Sequence, residues 1–520
     1  MSSTRRPNMG FAFGMFDNES GFAVSHQYDR SPSLIRPGDP VRLRAATVHG
    51  YDAITAYVLD GAGPHPPEIV RSEGTASPFE ADADGWTAML LGSPNGTIQH
   101  YIIEAEHRSG GVAYADGSHS LASAKVFAHR VTDRRPPLWT SDAVVYQIFV
   151  DRFASESGPV TQPNDMHGWA GGDLRGITAG LDWIQELGAT CIWITPVFTC
   201  HSSHGYDSID YRSVDPRFGG ESALSELIAE THARDMRILM DIVPNHVSDR
   251  HEWFQSARAG GPEKEWFSID REGRYETFFG VPSMPRLMLD NPDARRAMID
   301  VAEHWITEFG IDGYRIDHAL GPSESFFAAL SERINSISPE AWLFGEVTAL
   351  PSFNRRYGGI LDGVTDFAFA YGLREYLAGT IPADGFAYLE RESIASLPAD
   401  EFSWVRFFDN HDMERGLTRW GDDQATLDRA LGILMSLPGV PVIFYGTEQA
   451  LTSRLRESAG GLEVGRLPMT FDQDHAMFEV TQTAIARRTA QPMDQSAPVW
   501  WNPDGSWTWD GLAGELKAEN

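Results

Sequence analysis

Along residues 1–131 the apolar positions come in short, β-branched or aromatic runs. Segments 41–45, 53–59 and 100–105 alternate or cluster in this way, with Gly, Pro and Asp groups at 37–40, 60–67 and 93–96 between them. Alternation bounded by breakers is a strand signal, so this region is predicted as an N-terminal β-sandwich. The charged, proline-bearing stretch Thr132-Asp-Arg-Arg-Pro-Pro137 reads as a linker.

After the linker the period changes. Apolar strand candidates at 144–150, 191–194, 238–243, 313–316, 342–345, 365–369, 405–408 and 441–445 alternate with helically spaced segments such as 222–230 and 295–306. Repeated strand–helix units predict an α/β fold, a (β/α)8 TIM barrel formed by 138–247 and 292–475, with an inserted domain at 248–291 after the third strand. That insertion carries Trp253, Trp266 and Phe279 and is expected to wall a cleft over the strand ends. Residues 476–520 are predicted as a short C-terminal β region, with Asn502-Pro-Asp-Gly505 turning between tryptophan-bearing strands.

Composition narrows the function. Forty-two basic residues against 73 acidic ones leave a net charge of −31 over 520 residues. Nucleic acid and anionic membranes demand basic patches, so neither is an expected partner, and a neutral ligand suits the chain. No apolar run reaches membrane-spanning length. The stretch from Arg5-Arg6 through Met9 to Phe16 leads to Asp17 without a small-residue cleavage site, so a cytoplasmic protein is expected. Two cysteines, Cys191 and Cys200, cannot make a disulfide framework, and Cys191 reads as a buried thiol.

The strand ends carry the chemistry. Gly313-Tyr-Arg-Ile-Asp317, Leu343-Phe-Gly-Glu346, Phe407-Phe-Asp-Asn-His-Asp412 and Asp241-Ile-Val-Pro-Asn245-His246 each place an acid at or near the end of an apolar strand candidate. In a parallel barrel such acids converge on one face. Glycosidic cleavage through an oxocarbenium-like state needs a carboxylate on one side of the sugar and a proton donor at the leaving oxygen. Arg315 lies two residues before Asp317, on the same strand face, where its guanidinium is expected to lower the Asp317 pKa and to pair with Asp241.

These four stretches, in order, resemble the conserved regions of the α-amylase superfamily, glycoside hydrolase family 13. The resemblance extends to Tyr146–Phe153, Gly171-Gly-Asp-Leu-Arg-Gly176, His204-Gly-Tyr-Asp-Ser-Ile-Asp-Tyr211 and Gly446-Thr-Glu448, and Met284-Pro-Arg-Leu287 is similar to the neopullulanase/cyclomaltodextrinase branch. It implies Asp317 as nucleophile, Glu346 as acid/base and Asp412 as the third acid. It also implies substrate binding by His204, Tyr206, His246, Arg315 and His411, with Asp241 and Asn245 supporting them.

The resemblance implies a retaining hydrolase of cyclic or short maltooligosaccharides, working as a homodimer and needing no cofactor for the chemistry. A transglycosylase, an enzyme of α-1,6, sucrose or trehalose linkages, and a non-catalytic glycan-binding barrel are the alternatives. A structural Ca²⁺ in the loop after the first strand is implied through Asn164, Asp165, Gly171 and Asp173, although Ser155-Glu-Ser157 stands where that loop has an Asn-Gly-Asp start. The family's Lys-His pair after the nucleophile is replaced by Leu320 and Gly321.

Overall fold

The computed structural model describes residues 23–515, apart from 49, 60–75, 83–84, 117–119, 122–123, 455–461, 473–474, 491–494, 496–499, 502–505 and 510–511. The N-terminal stretch read for targeting, the 60–67 breaker cluster and the 502–505 turn therefore lie outside the described residues.

The N-terminal region is two packed antiparallel sheets. One contains Val41–Thr47 and Gly85–Leu90, the other Tyr51–Val58, Ile98–His107 and Phe127–Arg130. In Val41–Thr47 the side chains of Val41, Leu43 and Ala45 are buried while Arg42 is exposed, as alternation requires. Val41, Leu43, Ile54, Leu90, Tyr101, Ile103 and Phe127 fill the space between the sheets.

The linker is pinned rather than loose. Arg134 bridges Asp362 at 3.2 Å and donates to Pro339 O and Ala341 O, and Arg135 reaches Glu401 at 2.8 Å. These contacts fasten the sandwich to the flank of the following domain.

That domain is a closed parallel barrel of β1 (Val145–Ile148), β2 (Cys191–Ile194), β3 (Arg237–Ile242), β4 (Gly313–Ile316), β5 (Trp342–Gly345), β6 (Gly363–Thr365), β7 (Ser403–Arg406) and β8 (Val440–Phe444). Val145, Cys191, Trp193, Leu239, Trp342, Phe344, Val405 and Val442 fill the lumen. Alternate residues such as Tyr146, Ile192, Ile238, Tyr314 and Leu343 join the larger core under the helices. The barrel strands are buried on both faces almost throughout, so most of their positions are apolar. Gly313 opens β4 at φ 149°, where a Cβ would sit 2.0 Å from Trp342 O, so the strand enters the sheet only with glycine.

The sixth strand differs from its predicted span of 365–369. It covers Gly363–Thr365, and Phe367–Leu377 is a helix capped by the Asp366 side chain, which accepts from Phe369 N. A short apolar aromatic run buried on all sides carries no period that separates strand from helix, and the cap decides.

Between β3 and the helix Pro292–His304, residues 248–291 form a separate lobe holding the short helix Glu252–Arg258. Its aromatic residues pack together, with Trp253 and Trp266 at 5.2 Å and Phe254 and Phe267 at 5.0 Å. The Met284-Pro-Arg-Leu287 motif closes the lobe: Leu287 N donates to Asn245 O at 3.0 Å and Val247 N to Pro285 O at 3.1 Å.

From 476 the chain begins not with a strand but with the helix Ala476–Thr489, and a three-stranded antiparallel sheet (Trp500–Trp501, Ser506–Trp509, Leu512–Glu515) follows. Cys191 and Cys200 are both buried and unbridged, and burial pushes both thiols up. Among the described residues no helix is long and apolar enough to cross a membrane.

Candidate active site

Register brings the acids together. Asp241 on β3 pairs with Arg315 on β4, and Ile316 with Gly345 on β5, so Asp317 and Glu346 leave their strands at one level. The ladder continues through Asp317 N to Ile242 O and Glu346 N to Ile316 O, both 2.8 Å, which fixes the two backbones before the loops diverge.

Arg315, fully enclosed, is the hub. Its Nη1 lies 2.9 Å from Asp317 Oδ1 and 3.3 Å from Asp241 Oδ1, and its Nη2 lies 2.9 Å from Glu346 Oε1. One planar guanidinium thereby holds three carboxylates in a fixed fan, a task its fork geometry suits. The second Glu346 oxygen, Oε2, accepts from His318 N at 3.1 Å. His318 adopts φ 40°, a strained left-handed backbone directly after the nucleophile candidate.

The histidines belong to a second layer of the same network. Gln147 Nε2 donates to His411 Nδ1 at 2.7 Å, which leaves the proton on Nε2, 2.7 Å from Tyr206 OH and 3.2 Å from Asp412 Oδ2. Tyr206 OH in turn donates to Asp241 Oδ2 at 2.5 Å. The Tyr206 ring is stacked on His411, 5.3 Å away and 8° from parallel, and on His204 at 5.8 Å. His246 Nε2 donates to Tyr206 O at 3.0 Å, and Tyr206 N donates to His204 Nδ1 at 3.1 Å. Burial lowers His204 to about 4 and His246 to about 3, so both serve as neutral rings.

Asn245 Nδ2 donates to His246 Nδ1 at 3.2 Å. A Cβ on Gly321 would sit 1.8 Å from Asn245 Oδ1, so this backbone passes the asparagine so closely only with glycine.

The charges do not all behave as expected. Burial pushes the Asp317 carboxyl well up; Arg315 pulls it down, and the neighbouring Glu346, Asp241 and Asp412 carboxyls push it up again. The lowering expected from Arg315 is there, but burial outweighs it, because the strand end is closed off from water. Asp241 is likewise raised by burial against Arg315. At Asp412 burial also pushes up, but His411 and Arg466 outweigh it and hold the carboxyl far below the usual range.

Three contributors went unread in the sequence. Trp193 donates from Nε1 to Asp241 Oδ1 at 3.1 Å, Gln147 sets the His411 tautomer, and Arg466 holds Asp412 Oδ1 at 2.5 Å. Trp193 and Gln147 sit inside apolar strands, where the inward direction was the only signal. Arg466 follows β8 and carries no local signal.

The loop proposed for calcium has its carboxylates engaged with backbone. Asp173 caps the helix Leu174–Ala179 by accepting from Gly176 N at 2.7 Å and also accepts from Glu156 N at 3.3 Å, while Asp165 accepts from His167 N at 3.1 Å. Gly171 N donates to Asp151 Oδ1 at 3.0 Å. Among the described residues no three His, Cys, Asp or Glu side chains gather as a metal cluster.

The class these features define is a (β/α)8 barrel whose strand ends present three carboxyls around one arginine. Comparison with known proteins narrows it. The family model for the alpha amylase catalytic domain matches residues 147–497. Alpha-amylase 2 of Dictyoglomus thermophilum is 36% identical over 372 residues, 68% of this chain and 64% of that protein. Neopullulanase 2 of Thermoactinomyces vulgaris is 32% identical over 389 residues, 70% of this chain and 65% of that protein. The matches thus span just under two thirds of these relatives' own length.

The structure of the cyclic alpha-maltosyl-(1-->6)-maltose hydrolase from Arthrobacter globiformis, complexed with maltose, superposes with a TM-score of 0.65 at 29% identity, covering 72% of this chain and 91% of that one. This chain belongs to the alpha-amylase family.

Proposed function

We propose that the protein is a retaining glycoside hydrolase acting on the α-glucosidic bonds of cyclic or short maltooligosaccharides. The observation that carries this is the Arg315 fan: Asp317 and Glu346 are held by the two nitrogens of one guanidinium, at one level of the barrel mouth.

Glu346 gives its proton to the glycosidic oxygen as that bond breaks, while Asp317 Oδ attacks the anomeric carbon from the other face. The leaving chain departs with the proton. Glu346, now ionised, takes a proton from water, whose oxygen replaces Asp317 at the same carbon and restores both carboxyls. Asp412 grips sugar hydroxyls and favours the distorted ring, and His204, Tyr206, His246 and His411 form the neutral, hydrogen-bonding wall. Neutral rings suit a neutral sugar. The names of the relatives support the substrate class, since they include a neopullulanase and a hydrolase of a cyclic maltosyl sugar.

The chemistry asks for no metal, so dialysis against a chelator should leave kcat unchanged, and a calcium-dependent rise in Tm would assign the ion a structural part in the 164–173 loop. A cytoplasmic homodimer completes the reading. The deciding experiment is turnover of cyclodextrin, maltotriose, pullulan, starch, sucrose and trehalose beside Asp317→Asn. Ring opening of cyclodextrin or cleavage of maltotriose, absent in the variant, supports the proposal. Activity confined to sucrose or trehalose, or turnover equal in the variant, overturns it.

A further inference from the structure

We propose that Arg466 is the positioning residue for Asp412, fixing the carboxylate that grips the sugar by holding one oxygen and the backbone behind it. The inference deepens the proposed function and rests on the role given there to Asp412.

Among the three acids Asp412 is the least enclosed, its side chain 31% exposed against 9% for Asp317 and 15% for Glu346. Arg315, which aligns the other two, makes no hydrogen bond to it among those described. An aspartate at a cleft edge with no second anchor would rotate freely, and a sugar would have to freeze it on binding.

Arg466 supplies the anchor. Its Nη2 donates to Asp412 Oδ1 at 2.5 Å and its Nε donates to His411 O at 2.7 Å, so one guanidinium spans the carboxylate and the carbonyl of the preceding residue. The group lies over the Phe149 ring at 5.1 Å, and the residue is buried. The second carboxylate oxygen, Oδ2, faces His411 Nε2 at 3.2 Å. Both oxygens are therefore directed, and neither depends on water.

The anchor is itself held. Arg152, at the end of the first βα turn, donates from Nε to Arg466 O at 3.2 Å and accepts from Met469 N at 2.9 Å. Its Nη2 donates to Met166 O and Gly168 O, which ties the loop after β1 to the same point. The guanidinium thus reaches Asp412 from a clamped backbone. The charged and titratable groups around Asp412 are His411, Arg466 and Arg315, with Tyr206, His204 and Asp317 close by. Lysine offers one point of attachment and cannot span both acceptors.

The test compares wild type, Arg466→Ala and Arg466→Lys on maltotriose from about pH 4 to 9, with thermal melts as a folding control. Arg466→Ala should lose about 10²-fold in kcat with KM nearly unchanged. Its acid limb should move to higher pH, and added guanidinium salt at millimolar concentration should restore part of the rate. Arg466→Lys should keep the fold and recover little. An Arg466→Ala enzyme with wild-type kcat and pH profile overturns the inference, as does a loss that tracks Tm and resists guanidinium. A wild type that turns over no α-glucan overturns the proposed function, and this inference with it.

Discussion

Arg315 and the three carboxyls around it set the behaviour of individual residues. Because burial outweighs the guanidinium at Asp317, the folded state holds a proton there more tightly than the unfolded chain does. Stability therefore falls as pH rises from the ordinary carboxylate range toward the raised value, and the ionised carboxyl opposes folding at neutral pH. Asp317→Asn should abolish turnover by at least about 10⁴-fold while raising Tm at neutral pH by about 1–3 °C, and the gain should vanish near pH 3. A differential melt across pH checks both signs. Arg315→Lys keeps the charge but loses the fan, so the acid limb of kcat/KM should move to higher pH as Asp317 rises further; a pH–rate profile reads the shift.

Elements place these residues by register and by loops that approach one another closely. The pairing of Asp241 with Arg315 and of Ile316 with Gly345 brings the acids of three strands to one mouth. Beyond the strand ends, the lobe at 248–291 is fastened by Leu287 N on Asn245 O and by Arg286 Nη2 on Gly321 O at 2.7 Å. Gly321 is where two loops touch. Gly321→Ala drives a methyl into Asn245 Oδ1 and should destabilise by about 1–3 kcal/mol, with His204 and His246 losing alignment. Urea unfolding measures the loss, and a double cycle with Asn245→Ala should show the two changes to be non-additive.

At the scale of the molecule, the sandwich is fastened to the barrel by Arg134 of the linker and by Arg30 of the sandwich itself. Arg134 alone makes contacts to Asp362, Pro339 O and Ala341 O, and Arg30 reaches across to Arg355 O. The proposed homodimer is checked by light scattering at micromolar concentration, where a mass near twice 57.6 kDa is expected and a monomer refutes it.

Much of this was legible in the chain. The eight strand candidates lie at or beside the observed barrel strands, because a sheet buried on both faces leaves largely apolar runs that sequence displays directly. Polar residues that interrupt or directly follow those runs mark Asp241, Asp317 and Glu346, while Asp412 lies in the loop beyond β7. The sixth strand was misplaced where Asp366 capped a helix through aromatic residues that look the same in either state.

What the sequence by itself determined is the frame: periodicity dictates strands and helices, and a parallel barrel sends every strand-end acid to one mouth. Only the tertiary structure decided the state of those acids. The Asp317 carboxyl is raised although an arginine touches it, since desolvation depends on closure by the whole barrel and not on neighbours in the chain. Arg466 and Gln147 joined the site for the same reason: their partners lie tens to hundreds of residues away, and proximity of that kind is written in packing, not in local pattern.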